Sequence, residues 1–133
     1  MARAKTVQSI VAAGTTLDAD GGANDVRRGA IDVRDKDGGI ITIKITNGAT
    51  APTDKCVATV MIAHETGATP ATGAAGAVWK TLTSIDGPGG DSEIAEHSYQ
   101  FGPEVMHVQV EFSGNTVEAV TVEAVASTVN YSA

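Results

Sequence analysis

The densest set of metal-ligand side chains is the run Asp18-Ala19-Asp20-Gly21-Gly22-Ala23-Asn24-Asp25. Hard cations take clustered carboxylate and carbonyl oxygens from a tight loop, so this stretch offers calcium chemistry. An EF-hand requires Gly at the sixth loop position and Glu at the twelfth. Counted from Asp18, those positions hold Ala23 and Gly29, and the motif fails. What remains is a different calcium geometry or an Asp/Asn/Gly turn whose side chains bond local backbone. His64, His97 and His107 lie too far apart for a helical metal motif and have no Cys or carboxylate at ligand spacing. They are expected as exposed or edge-facing histidines rather than as a zinc site.

Nucleophiles fare no better. Ser84, Ser92, Ser98 and Ser113 all lie outside any Gly-x-Ser-x-Gly elbow. Glu93 with Glu96, or Glu118 with Glu123, supplies the paired carboxylates of glycoside hydrolysis. They fall on polar strand faces or beside a glycine-rich turn, away from any cleft wall. The glycines at Gly38-Gly39 and Gly87 to Gly90 are not followed by a helix, which phosphate cradling needs. Cys56, the single cysteine, excludes an intrachain disulfide and sits in an apolar run, as a buried, inert thiol does. The sequence predicts no enzyme: no catalytic, cofactor-binding or metal residues, and no cofactor.

The elements that must position these residues are strands. From Glu104 to Ala126 two alternating runs flank Ser113-Gly114-Asn115-Thr116. Met106, Val108, Val110 and Phe112 share one face, and Val120, Val122 and Ala124 repeat the period of two. The short Gly-Asn link predicts a β-hairpin. Its polar face (His107, Gln109, Glu111, Glu123) is expected to be solvated. A second hairpin is predicted where Val26 to Arg34 meets Ile40 to Thr46 across Asp35-Lys36-Asp37-Gly38-Gly39. Lys5 to Ala12 reads as a first strand or an extended arm. Lys55 to His64 is apolar on both faces, the mark of a central or covered strand. Ala77 to Asp86 and Ile94 to Phe101 complete about eight strands, the pattern of a single-domain all-β sandwich or jelly roll. Residues 1–133 form one domain, with 1–13 as a possible N-terminal arm and 127–133 as a C-terminal tail. Glu65 to Gly76, rich in Gly, Ala and Thr, is long for a connection and is expected to be a functional or partner-contacting loop.

Composition narrows the function classes. The 133 residues are 42% hydrophobic but only 4% aromatic, so the core must be Val, Ile and Ala, and aromatic pocket walls are scarce. A net charge of −7 with scattered Lys and Arg argues against nucleic acid. Arg3, Lys5, Arg27, Arg28 and Arg34 make the first third milder in charge than the acidic remainder. No stretch reaches transmembrane length, and the apolar run after Lys5 is broken by Gln8 and Ser9, unlike a signal peptide. Cytoplasmic folding is the expectation.

Three stretches together carry a resemblance. They are Trp79-Lys80-Thr81-Leu82-Thr83-Ser84-Ile85-Asp86, the aromatic-Gly-Pro turn and strand from Tyr99 to Val110, and Phe112 to Thr116 with its Val-rich sequel. The pattern covers about the last sixty residues and resembles the capsid decoration (cement) proteins of tailed bacteriophages, with their jelly-roll or sandwich fold. That resemblance implies a structural virion protein on the capsid exterior, assembled in the host cytoplasm, bridging major capsid subunits as a homo-oligomer (dimer or trimer). It implies no nucleic-acid or membrane partner and no individual functional residues. The alternatives are a tail, collar or fibre component, or a small lectin-like sandwich with Trp79, Tyr99 and Tyr131 as sugar platforms.

Overall fold

A computed structural model describes residues 2–132 of the chain. Eight strands appear in order: β1 (Ala2–Leu17), β2 (Arg27–Asp32), β3 (Gly39–Asn47), β4 (Val57–Ala63), β5 (Lys80–Asp86), β6 (Ile94–Phe101), β7 (His107–Ser113) and β8 (Val120–Ser132). They form two antiparallel four-stranded sheets, ordered β1-β8-β3-β6 and β2-β7-β4-β5. With the sheets face to face, this is a jelly roll, the fold class that the spacing of strands predicts.

Alternation explains what lies between the sheets. Ile41, Ile43 and Ile45 from β3, and Val122, Ala124 and Ala126 from β8, meet Ala58, Val60, Val108, Val110 and Phe112 of the second sheet. Leu17 and Phe101 complete an interior with few rings, as the composition requires. Truncating a fully buried side chain such as Phe112 to alanine would cost about 3–5 kcal/mol. β4 is central in its sheet, between β7 and β5, as its two apolar faces predict.

Neither predicted hairpin exists. β7 and β8 belong to opposite sheets, and so do β2 and β3. Alternation assigns a strand's buried face and is silent on its neighbour. Val108, Val110 and Phe112 therefore face Val122 and Ala124 across the interior rather than lying beside them. The link after β7 climbs between sheets, with Gly114 at φ +94° supplying a left-handed turn. Buried Asn115 pins it by donating through Nδ2 to the carbonyls of Leu17 (3.4 Å), Asp18 (3.3 Å) and Glu118 (2.9 Å). The link after β2 is held similarly, by bonds between Asp37, Gly38 and Val129.

Both terminal segments are strands of the sandwich. β1 pairs with β8 from Ala2↔Ser132 to Leu17↔Val120, with irregularities between Ser9 and Val11 and between Val11 and Thr15. Beyond the first irregularity β1 leans onto β2. A side chain at Gly29 would collide with the Ile10 carbonyl, so this seam between the sheets demands glycine. Arg27 Nε closes it further by donating to Thr16 O at 3.0 Å.

Candidate functional site

The long loop between β4 and β5 lies flat on the outer face of the second sheet, and the groups that hold it there are the most specialised in the molecule. β7 turns His107 and Gln109 outward, yet both are fully buried, because the loop covers them. The expectation of a solvated polar face and of exposed histidines fails here for that reason. His107 Nε2 lies 3.0 Å from the Glu65 carbonyl and Nδ1 lies 3.1 Å from Thr69 Oγ1. A carbonyl only accepts, so Nε2 carries the proton in the neutral ring and Nδ1 accepts from the Thr69 hydroxyl. Gln109 grips the loop twice at one residue: Gly73 N–H donates to Oε1 (2.9 Å) and Nε2 donates to Gly73 O (2.7 Å). A side-chain amide here takes the place of a neighbouring strand.

Around these polar clamps sits a second, small apolar cluster of Met61, Ala63 and Trp79, with Ala30 against it. Trp79 is 2% exposed and donates from Nε1 to Ala71 O at 2.8 Å. At the loop's near end Arg34 Nη1 donates to Thr66 O at 2.7 Å. The same guanidinium donates to the Asp32 carboxylate (Nη2–Oδ2 2.7 Å), which holds Asp32 well down, at about 2, and raises Arg34 in turn. His107 Nδ1 stands 3.8 Å from Asp32 Oδ1. Gln8, Asp32, Arg34, Asp35, Lys36 and Thr66 line an open depression of about 650 Å³ beside it. Its charges satisfy one another, Asp32 with Arg34 and Lys36 with Asp35.

The remaining sequence candidates are dispersed. His64 and His97 are exposed. In the acidic loop Asp18 Oδ2 accepts from Asn24 N–H (3.0 Å), Asp25 Oδ2 from Gly21 N–H (3.4 Å) and Asp20 Oδ1 from Val117 N–H (3.4 Å). The carboxylates thus serve the backbone, as in an Asx-type turn. Among the described residues no three His, Cys, Asp or Glu side chains gather as a metal site. Glu96 and Glu123 flank Lys44 on neighbouring strands, forming a cross-strand charge row. Ser98 Oγ lies 2.9 Å from Thr42 Oγ1 on the same sheet. Cys56 is buried, and burial pushes its thiol up to about 12 against a lowering bond from the Ser113 backbone. A buried thiol is what its apolar context predicts.

No family model matches the chain, and no curated protein does. Several solved structures align with it weakly. The dimeric latent PorU of Porphyromonas gingivalis aligns at TM-score 0.49 and 11% identity, over 96% of this chain and 13% of that one. The K3 cleaved adhesin domain of the Lys-gingipain from the same organism aligns at 0.46 and 16%, over 90% and 94%. Infectious bursal disease virus Gt strain aligns at 0.37 and 6%, over 98% and 31%.

Nothing local in the sequence marks Gln109 and Arg34 as loop holders, and Trp79, a sugar platform under the lectin-like alternative, is instead part of the loop's seat. The available signal was joint: His and Gln on one strand face, beside a Gly/Ala-rich loop too long to hang unsupported and ending in the chain's single Trp.

Proposed function

We propose that this chain is a non-enzymatic structural protein of a bacteriophage virion. In this reading it sits on the capsid exterior and bridges neighbouring major capsid subunits. One observation supports it: the buried polar side chains among the described residues hold backbone in place rather than line a cavity. Asn47 donates to the carbonyls of Pro88 (2.9 Å) and Gly90 (2.8 Å), Asn115 braces the β7–β8 link, and His107 and Gln109 clasp the long loop. What such a block offers a partner is surface: sheet edges, an outer sheet face and the outer side of a clamped loop. Many copies on one shell would turn modest contacts into firm retention. The lectin-like alternative loses its main platform, since Trp79 is buried under the loop.

The test is to search the reading frames neighbouring this one for a major capsid protein and to co-sediment the purified chain with empty shells assembled from it. Saturable binding at a fixed ratio per lattice site, absent with unassembled capsid subunits, is the expected result. Shells that pellet without the chain would refute the proposal.

A further inference from the structure

The first sheet ends in two edges that carry opposite charge. On β1, before its first irregularity, the segment Ala2–Ser9 contains Arg3 and Lys5 and no acid. On β6 (Ile94–Phe101) stands Glu96, with Glu93 just before it and no Lys or Arg. Among the described residues no strand pairs with the outer side of either. Three antiparallel steps separate them, so β1 and β6 run in opposite directions. Copies set side by side would therefore continue the sheet in antiparallel fashion.

Backbone parity fixes which residues can bond outward. Asp37 N–H donates to Val129 O (2.7 Å) and Val129 N–H donates to Gly38 O (3.0 Å), on the β3 side of β8. In an antiparallel ladder this direction alternates residue by residue. Val125, Ser127, Val129 and Tyr131 thus turn away from β1, and their partners Ser9, Val7, Lys5 and Arg3 turn their own N–H and C=O out of the sheet. On the other edge Asn47 N–H donates to Glu93 O (2.9 Å). The same alternation makes Ala95, His97 and Tyr99 bond inward to β3, and leaves Ile94, Glu96, Ser98 and Gln100 presenting their backbone groups outward.

The geometry points to a head-to-tail interface between copies of this chain, in which β6 of one pairs with β1 of the next. One register satisfies every constraint at once. Val7 opposite Ile94 puts Lys5 opposite Glu96 and Arg3 opposite Ser98, all with outward-aimed backbone groups. It also covers Val7 (73% exposed) and Ile94 (57% exposed), the two most exposed large apolar side chains of that sheet. An unpaired edge with such residues otherwise invites nonspecific pairing. Because the two surfaces differ, the contact is heterologous and closes into a ring or continues as a chain of subunits. This interface does not depend on the capsid reading, and the purified chain alone tests it.

Sedimentation velocity over a concentration series should show the wild-type chain assembling beyond a monomer. Lys5→Glu and Glu96→Lys should each weaken self-association about five-fold, and the double variant should recover it. Val7→Pro removes an N–H that the chain's own ladder does not use, so it should abolish assembly while far-UV circular dichroism stays unchanged. A wild-type chain that stays monomeric throughout would overturn the interface and leave the capsid proposal standing. Sensitivity to Lys5→Glu but not to Glu96→Lys would overturn it in favour of β1 pairing with itself. Failure of the double variant to recover would also overturn it.

Discussion

On the second sheet, two outward residues of β7, His107 and Gln109, are sealed beneath a loop and bonded to it. On the first sheet, the outward residues of β3 are Ile40, Thr42, Lys44 and Thr46; among the described residues no loop hydrogen-bonds to their side chains, and Ile40 is exposed. Both sheets obey the same alternation and carry polar side chains at the same period. The difference lies in what meets those side chains. A Gln whose two amide atoms match one loop residue can substitute for a strand, whereas Thr42 finds only Ser98 beside it. One face has been turned into a third layer, and the other remains the flat side of a sandwich.

The strongest way to break this contrast is Trp79→Ala. It empties the cluster under the loop and should lower unfolding free energy by about 3 kcal/mol in urea. Thr42→Ala on the bare face should stay within about 0.5 kcal/mol of wild type in the same assay. Equal losses from the two would show that the loop is not a structural layer. A narrower probe is Gln109→Leu, which leaves the Gly73 N–H and C=O without their partner. About 1–3 kcal/mol should be lost, and limited proteolysis should cut between residues 65 and 76 faster than in wild type. Unchanged protease resistance would mean that Trp79 holds the loop without help.

The smallest effect concerns the loop's near end and depends on pH. Asp32 is held at about 2 against its ordinary 3.8 by the Arg34 guanidinium. A depressed folded-state value contributes stability above 3.8 that is lost as pH falls through about 2. Both side chains are 38% exposed, so solvent screening keeps the contribution below about 1 kcal/mol. Asp32→Asn should flatten the acid limb of a stability–pH curve in that window, lowering neutral-pH stability by that same amount, under about 1 kcal/mol, and leaving stability below about pH 2 unchanged.

These faces also show what a sequence discloses. The alternation of Ile41, Ile43 and Ile45, and the bounds of β6, were legible because a period of two depends only on local geometry. The sheet to which each strand belongs was not, since Ser113 to Thr116 suits a tight hairpin and a climb between sheets equally well. Deciding between them takes Asn115 and its bonds to Leu17 and Asp18, far away in the chain. The clamps were hidden for the same reason. His107 and Gln109 look like solvated polar positions until a segment roughly forty residues earlier is laid over them (36 residues from Gly73 to Gln109). Cys56 was readable outright, because its apolar neighbours are adjacent in sequence.

The position of β8 between β1 and β3 has a consequence for how the molecule is made. As a ribosome extends the chain, β1 emerges first, and the strand that pairs with it emerges last. Until Val120–Ser132 is synthesised, β1 has no partner in its sheet and the inner edge of β3 is bare. The earlier strands β2, β4, β5 and β7 can already associate into the second sheet, but the first must wait until β8 has been made. Closing so long a stretch of chain is slow, and the nascent polypeptide shows unpaired strand edges meanwhile. Crowded expression should therefore favour misassembly of unfinished chains, and slower translation of the last segment should worsen it.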